Sequence, residues 1–276
     1  MSISVFYFET PLPAYEMAKS FLEQRPILNN LNLTLLEERI SKPQPGRYWV
    51  VTKGEDVVGF SLQSPLNYGI NLAFMDGEII SELVKFIALQ KFDIPFVNGD
   101  SLSASLFAGY WTESHNSGAI PELGMRIYEK EKQNPIEHTN GTMRQAVDED
   151  LDLLTSWTKE FIEATGGLNT DVRDVVKARL KEERFWIWED KGPVSFVCIS
   201  NPVHGVVRVQ MVFTPKAERG KLYARSCVNE LSNSLLLKNQ RVMLYADLGN
   251  PISNFVFRSV GFGSKVDCLK YVFVKK

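Results

Sequence analysis

Two stretches of the chain carry the same order of apolar and polar positions. RYWVVTKGEDVVGFSLQSPL begins at Arg47, and RFWIWEDKGPVSFVCISNPV begins 137 positions later at Arg184. The two align without a gap, so that Trp49 matches Trp186. Each consists of an apolar strand, a short polar turn and a second apolar strand, which predicts a β-hairpin. The chain is therefore predicted to contain an internal repeat.

Helical spacing of apolar residues appears between the predicted strands. The second half has such spacing in LDLLTSWTKEFIEAT, in VRDVVKARL and again after FTPKAERGK, and it ends with RVMLYADL, PISNFVFRSV and KYVFVKK. The first half has a similar outline, with SVFYFE, AYEMAKSFLEQR and EIISELVKFIALQ around its hairpin. This order predicts an α+β fold with a mixed, mostly antiparallel sheet flanked by helices in each half. One parallel crossover is expected in the second half, after the basic turn.

A second, shorter match has a different offset. The segment that begins Asn98-Gly-Asp-Ser resembles the segment that begins Asn250-Pro-Ile-Ser, 152 positions later. The change from 137 to 152 predicts 15 additional residues in the second half, in the interval that holds FTPKAERGKLYARS. Between the halves, EKEKQNPIEHTNGT is polar and contains Pro135, which is typical of a linker. We therefore predict domains at 1–135 and 139–276, with the boundary near Asn134 to His138.

The composition is that of an ordinary soluble globular protein. The chain has 276 residues, 44% of them hydrophobic and 23% charged, with a formal net charge of -2. Because the overall charge is not positive, we expect no nucleic-acid partner. No apolar run approaches the roughly 20 residues of a membrane span, so we expect no membrane partner. The three cysteines have no CxxC spacing and the N-terminus has no signal-peptide pattern, so we expect reduced thiols, no metal site and a cytoplasmic location.

The stretch FTPKAERGKLYARS joins an apolar strand to a predicted helix. Arg219, Gly220 and Lys221 lie at or just before the start of that helix. Unpaired backbone N–H groups and the positive end of the helix dipole meet at such a position, which favours a bound phosphate. Two cations there, with no acidic residue in the first turn, strengthen this interpretation, and glycine allows an anion to approach the backbone closely. A solvated basic turn is the alternative.

Two motifs in this half resemble the GNAT superfamily of acyl-CoA-dependent N-acetyltransferases. The family signature is an apolar strand followed by R-x-x-G-x-G/A at the start of a helix, and QMVFTPKAERGKLYA matches it at Arg219 and Ala224. A later N-x-x-S/A segment with a G-F/Y pair is matched by Asn250, Ser253 and Gly261-Phe262. The resemblance covers the second half in element order and the first half as a degenerate copy. It implies two GNAT-like domains, of which the first lacks the phosphate loop and the second binds acyl-CoA.

The resemblance also implies the residues around acetyl-CoA, the co-substrate. A strand end would bind the pantetheine arm, the basic turn would bind the pyrophosphate, and a later helix would line the far side of the coenzyme. These residues are Met211, Val212, Phe213, Thr214, Arg219, Gly220, Lys221, Leu222, Tyr223, Ala224, Asn250, Asn254 and Phe257. The implied reaction is direct attack of an amine on the thioester, with the oxyanion held by a backbone N–H of the strand. Asp247, after RVMLYA, is the candidate base, and a cap of the next turn is its alternative role.

Two positions depart from the family pattern. Leu222 stands where the signature has a glycine, and Phe257 stands where many members carry the tyrosine that protonates the leaving thiolate. The first hypothesis is an N-acetyltransferase that acts on a primary amine of a small molecule or peptide. The alternative is a protein that binds or senses acyl-CoA without catalysis, and a structural protein without a ligand is a third possibility.

Overall fold

The structure is a computed structural model that describes residues 2–137, 139–166, 171–238 and 240–275. The first half of the chain forms, in order, β1 (Ile3–Phe8), α1 (Pro11–Glu23), α2 (Asn30–Ser41), β2 (Arg47–Lys53), β3 (Asp56–Gln63), β4 (Ile70–Leu72), α3 (Gly77–Leu89), β5 (Phe96–Asp100), α4 (Ser101–His115) and β6 (Ser117–Lys130). The second half forms β7 (Thr142–Gln145), α5 (Leu151–Thr165), α6 (Val172–Lys181), β8 (Phe185–Glu189), β9 (Pro193–Ile199), β10 (Val206–Phe213), α7 (Tyr223–Leu237), β11 (Arg241–Asp247), α8 (Pro251–Ser259) and β12 (Phe262–Lys275).

Both predicted hairpins are confirmed. β2 pairs with β3 in antiparallel register from Arg47 opposite Gln63, and β8 pairs with β9 in the same way from Phe185 opposite Cys198. The two hairpins therefore use the apolar alternation that defines the repeat in the sequence.

The caps of α4 and α8 correct the second repeat match. Asp100 accepts a hydrogen bond from Ser103 N, and Asn250 accepts one from Ser253 N, each at 3.1 Å. The two N-caps are therefore the equivalent residues, at an offset of 150, and the second half has 13 additional residues. The predicted offset of 152 is wrong, because Asn98 lies within β5. Asp and Asn serve equally well as N-caps, so identical residue types did not identify the structurally equivalent positions.

The chain divides into two compact units. Unit 1 contains Met1–Ile127, Asp247–Gly249 and Lys265–Lys276, and unit 2 contains Tyr128–Ala246 and Asn250–Ser264. From Lys265 onward, β12 thus belongs to unit 1, where Cys268 to Val272 pair with β5. The boundary near Asn134 to His138 follows the sequence repeat and stays a prediction, and His138 lies outside the described residues.

Unit 1 is built on an open, mixed sheet. Its strands follow the order β1-β2-β3-β4-β5-β12-β6, and the pairs from β1 to β12 are antiparallel except for the parallel pair β4–β5. The buried side chains of α3 on this sheet are all aliphatic, namely Ile79, Ile80, Leu83, Val84 and Ile87, and the partly buried Phe86 also packs against the cluster. This apolar face is what the helical spacing of EIISELVKFIAL predicts.

Unit 2 has the strand order β11-β10-β9-β8-β7. All neighbours are antiparallel except β10 and β11, which are parallel and joined through α7, so the predicted crossover is confirmed. One core cluster packs α7 and α8 on the sheet, and a second packs α5 and α6 against it. Cys198 and Cys227 are buried in these clusters as free thiols.

The polar segment after β6 is bound along α7. Two side chains of α7 form hydrogen bonds with its backbone: Ser226 Oγ with Thr139 N at 3.1 Å and Asn233 Oδ1 with Asn134 N at 3.3 Å. A third, Asn229 Oδ1, accepts from Nζ of Lys130, the last residue of β6, at 2.9 Å. The segment predicted as a linker is therefore partly fixed by side chain–backbone bonds.

Across the described ranges, no helix combines the length and the apolar character that crossing a bilayer requires. The same ranges contain no group of three or more His, Cys, Asp or Glu side chains positioned to hold a metal ion.

Candidate functional site

The parallel strands β10 and β11 separate before either of them ends. Their pairing runs from Val206 opposite Arg241 to Val209 opposite Leu244, whereas β10 continues to Phe213. The register between β10 and β9 also shifts between Val209 and Met211, which indicates a β-bulge. From Met211 to Phe213, one edge of β10 pairs with β9, and the other edge has no partner strand in this described part of unit 2. We call the opening beyond Val209 and Leu244 the strand gap.

The end of β10 is hydrogen-bonded to a buried serine of β9. The fully buried Ser195 donates a hydrogen bond from Oγ to Phe213 O at 2.9 Å, and its Oγ lies 3.0 Å from Thr214 Oγ1. Met211 and Phe213 are buried in the cluster with α5 and α6, while Val212 packs against the cluster with α7 and α8. The side chains are thus used for packing, and the backbone edge is what the strand presents to a ligand.

The basic turn, Arg219–Lys221, follows a short 3₁₀ segment and is exposed. Arg219 Nε donates a hydrogen bond to Thr214 O at 3.0 Å, which ties the guanidinium to the end of β10. Lys221 Nζ lies 2.8 Å from Glu218 Oε2, and this hydrogen bond raises the pKa of Lys221. Gly220 has a φ of 81°, and a Cβ there would meet no atom within 4 Å. The space next to this backbone is therefore open.

α7 begins immediately after the turn. Leu222 is its N-cap with a left-handed backbone (φ 63°), and its side chain is 52% exposed. The first intrahelical bond runs from Ser226 N to Leu222 O, so the N–H groups before Ser226 have no acceptor within the helix. The first turn has no acidic residue. Tyr223 anchors this end, since its hydroxyl donates to Asp190 Oδ2 at 2.6 Å and this bond raises its pKa.

These features fit the phosphates of a coenzyme. Two exposed cations lie beside a helix N-terminus, and Gly220 leaves the backbone accessible. The charge of Lys221 is partly offset by Glu218, whereas Arg219 uses only its Nε in the described bond and pairs with no carboxylate there. Arg219 is thus the stronger anion-binding residue of the two.

α8 carries three more predicted residues, each with a clear structural role. Asn250 caps the helix. Asn254 donates from Nδ2 to Asn250 O at 2.7 Å and accepts at Oδ1 from Tyr128 Oη at 2.8 Å. Phe257 is buried and packs edge-on against Phe262, with ring centroids 6.2 Å apart. Their roles beside a coenzyme remain predictions.

Tyr128 is a polar group that sequence reasoning missed. It comes from the end of β6, is fully buried, and its ring centroid lies 6.5 Å from that of Phe257. Nothing in the local sequence connects Tyr128 with α8, since 126 residues separate it from Asn254. Only the tertiary structure reveals the contact.

Asp247 is the last residue of β11 and is exposed. Its Oδ1 accepts a hydrogen bond from Gly249 N at 2.8 Å, which is the turn-capping arrangement given above as its alternative role. In the division of the chain into two compact units, Asp247 belongs to unit 1. A role as base therefore remains a prediction.

Solved structures of GNAT acetyltransferases resemble the whole chain. A GNAT-family acetyltransferase from Colwellia psychrerythraea has a TM-score of 0.66 and 11% identity, and the match covers 99% of this chain and 100% of that one. A GCN5-related N-acetyltransferase from Sphaerobacter thermophilus has a TM-score of 0.64 and 14% identity over 97% and 94% of the two chains. A tandem GNAT protein from the clavulanic acid biosynthesis pathway has a TM-score of 0.55 and 10% identity over 98% of each chain.

At the level of sequence, no family model and no curated protein matches the chain. Identities of 10–14% are those of distant relatives at most, so the likeness rests on the arrangement of strands and helices. This arrangement is the predicted α+β one, and the chain has the fold of the GNAT acetyltransferases.

Proposed function

We propose that the chain is an N-acetyltransferase that transfers an acetyl group from acetyl-CoA to a primary amine of a small molecule or peptide. The observation that carries this proposal is the strand gap. Beyond Val209 and Leu244, the edge of Met211–Phe213 has no partner strand among the described residues of unit 2, and the same strand leads directly into the basic turn and α7. An extended arm with amide groups matches such an edge, and a pyrophosphate matches the turn that follows.

The proposed binding divides between backbone and side chains. Met211 to Thr214 provide backbone N–H and C=O groups for the pantetheine arm, and Ser195 keeps this edge straight by bonding Phe213 O. Arg219, the backbone of Gly220 to Ala224 and the N-terminus of α7 hold the phosphates. Asn250, Asn254 and Phe257 of α8 form the far wall.

Acetyl-CoA supplies the acetyl thioester when it is bound. A backbone N–H of β10 in the strand gap donates to the thioester oxygen and stabilises the negative charge that develops there. Asp247 is the proposed base, on the strength of its position at the end of β11. Phe257 has no ionisable proton, so this residue cannot protonate the leaving thiolate. That departure is feasible, because a thiol has a pKa near ~8.5 and its anion is stable near neutral pH.

A protein that binds acyl-CoA without transferring the acyl group is the second candidate. Two observations favour it: the missing hydroxyl at Phe257, and the exposed Leu222 side chain beside the phosphate turn. Both candidates require the same coenzyme site and differ only in turnover.

The test of the shared site is the thermal unfolding of the full chain with and without acetyl-CoA. We expect acetyl-CoA to raise the midpoint, because a ligand that binds only the folded state stabilises it. Arg219→Glu should abolish this rise. Lys238→Glu, the same charge change at the opposite end of α7, should preserve it. An unchanged midpoint for the parent protein would contradict both candidates.

Turnover separates the two candidates. Release of free CoA thiol is measured with acetyl-CoA and a panel of primary amines that includes small amines, amino acids and short peptides. Amine-dependent release that Arg219→Glu removes supports the transferase. Tight acetyl-CoA binding without release across the panel supports the binding protein.

A further inference from the structure

Unit 1 contains a cleft of about 280 Å³ between the α1–α2 connection, β3 and the start of α3. Six apolar side chains form its walls: Phe21, Leu28, Val57, Val58, Phe74 and Met75. Its polar lining comes from Gln24, Arg25, Asn29 and Asp76. The proposed acetyl-CoA site uses none of these residues.

The cleft contains two opposite charges, those of Arg25 and Asp76. Within the described part of the chain, neither Arg25 nor Asp76 forms an ion pair, and both side chains are exposed to solvent. Asp76 is the N-cap of α3, but its side chain makes no capping hydrogen bond. The Arg25 guanidinium lies 5.8 Å from the centroid of the Phe74 ring, which keeps the cation against an apolar wall.

The walls of the cleft are fixed by the surrounding structure. Met75 is held through its backbone, since Ser103 Oγ lies 3.1 Å from Met75 N and 3.3 Å from Met75 O. Its sulfur packs over Gly59, where a Cβ would come within 2.5 Å of Sδ. The buried Asn29 donates from Nδ2 to Leu22 O at 3.0 Å, which fixes the start of α2. A ligand would therefore meet a largely preformed site.

We propose that this cleft binds a free α-amino acid with an apolar side chain. Arg25 pairs with the α-carboxylate and Asp76 with the α-ammonium, while the side chain of the ligand contacts the apolar walls. The volume lies just below the ~300 Å³ at which pockets for drug-sized molecules begin, so a single small molecule fits it. A simple anion or a simple amine would leave one of the two charges unused.

The experiment is calorimetric titration of the full chain with L-leucine, L-methionine and L-phenylalanine, which sample aliphatic, thioether and aromatic side chains. At least one should bind, and its amide and N-acetyl derivatives, each lacking one charge, should bind ~10-fold or more weakly. Arg25→Gln and Asp76→Asn should each weaken binding by ~10- to 100-fold. Arg173→Gln and Asp152→Asn, which alter an exposed ion pair of unit 2, serve as controls and should change nothing.

Three results would each overturn the proposal. The first is no binding of any probe at about 10 mM, a concentration at which millimolar sites are occupied. The others are equal binding of the singly charged derivatives, and no effect of Arg25→Gln and Asp76→Asn in variants whose circular dichroism shows a folded chain. The acetyl-CoA site is independent of this one. Arg219→Glu should therefore leave amino-acid binding intact, and Arg25→Gln should leave the acetyl-CoA-dependent rise in melting temperature intact.

Discussion

The two units differ in the hydrogen bonds made beyond the end of their parallel strand pair. In unit 1 the β4–β5 pairing ends at Asn71 opposite Asn98, and Asn98 Nδ2 bonds Asn71 Oδ1 at 3.0 Å across the pair. Ser103 of α4 then bonds both the N–H and the carbonyl of Met75. In unit 2 the equivalent serine, Ser253, bonds Asn250 O within its own turn at 3.1 Å. In unit 1 the connection after β4 is therefore bonded to α4, whereas in unit 2 Ser253 makes no such bond and the strand gap lies beyond Val209 and Leu244.

This difference concerns the direction of one side chain at matching positions of the two units. Both units have an N-cap followed by a serine three positions later, and both have a parallel pair before it. The hydroxyl of this serine bonds across to Met75 in unit 1 and back into its own turn in unit 2. A shared fold by itself thus does not determine how matching residues bond in the two units.

The helices that follow the two pairs also differ in their buried faces. α3 buries only aliphatic side chains, whereas α7 also buries Ser226, Asn229 and Ser232. Ser226 accepts a hydrogen bond from Thr139 N in the chain that follows β6, and Asn229 accepts one from the buried Lys130 at the end of β6, whereas Ser232 bonds Asn229 O within the helix. An aliphatic face packs on a sheet alone, whereas the polar face of α7 additionally ties down a neighbouring segment.

The largest expected effect tests this polar face through Lys130, which is 1% exposed. Burial lowers the pKa of Lys130 to about 8, while an unfolded chain keeps lysine near ~10.4. Between these pH values the unfolded state binds more protons, so the free energy of unfolding rises with pH. We expect this increase in the free energy of unfolding to be on the order of 2–3 kcal/mol in the parent protein and to be absent in Lys130→Met. Urea unfolding at pH 7.5 to 10.5, taken as parent minus variant, measures it.

Lys132→Met is the matched control, because Lys132 is exposed two positions later. It should keep the pH dependence of the parent. If Lys130→Met also keeps it, the ammonium of Lys130 is hydrated in solution and the polar face of α7 does not bury it.

The next effect concerns Ser103, which bonds Met75 in the connection between β4 and α3 of unit 1. Ser103→Ala removes the partner of a buried backbone N–H and carbonyl at Met75, so we expect unfolding free energy to fall by about 1–3 kcal/mol. Ser253→Ala removes one partly exposed bond and should cost under about 1 kcal/mol. Urea denaturation of the two variants compares them directly. Equal losses would mean that Ser103 does not distinguish the units.

The smallest expected effect concerns the N-cap of α7. Leu222 has a left-handed backbone, which costs a residue with a Cβ about 1–2 kcal/mol. Leu222→Gly should therefore raise the free energy of unfolding by about 0.5–1 kcal/mol, after allowing for the greater freedom of glycine in the unfolded chain. Leu237→Gly, the same change at the exposed last residue of the helix, should lower it by about 0.5–1 kcal/mol. A loss of stability in both variants would show that Leu222 is not strained.

The predictions from sequence succeeded where the signal was local. Apolar alternation located both hairpins, and the position of FTPKAERGK between a strand and a helix predicted the parallel crossover. The prediction failed where it matched identical residue types, because Asn98 and Asn250 are both asparagine but have different structural roles. Asp100 is the residue that caps its helix as Asn250 does. The strand gap was implied only through the family resemblance, since its existence depends on how far β10 and β11 remain paired.

The sequence by itself determined the alternation of strands and helices, the repeat and the cluster of cations before α7, because each depends on residues close together in the chain. Tertiary structure decided what these elements bond to. It directed Ser103 to Met75 but Ser253 to Asn250, brought Tyr128 to Asn254, and gathered Arg25 and Asp76 around one cleft. Such contacts join residues far apart in the chain, and a side chain's own neighbours in sequence do not specify which distant group it will meet.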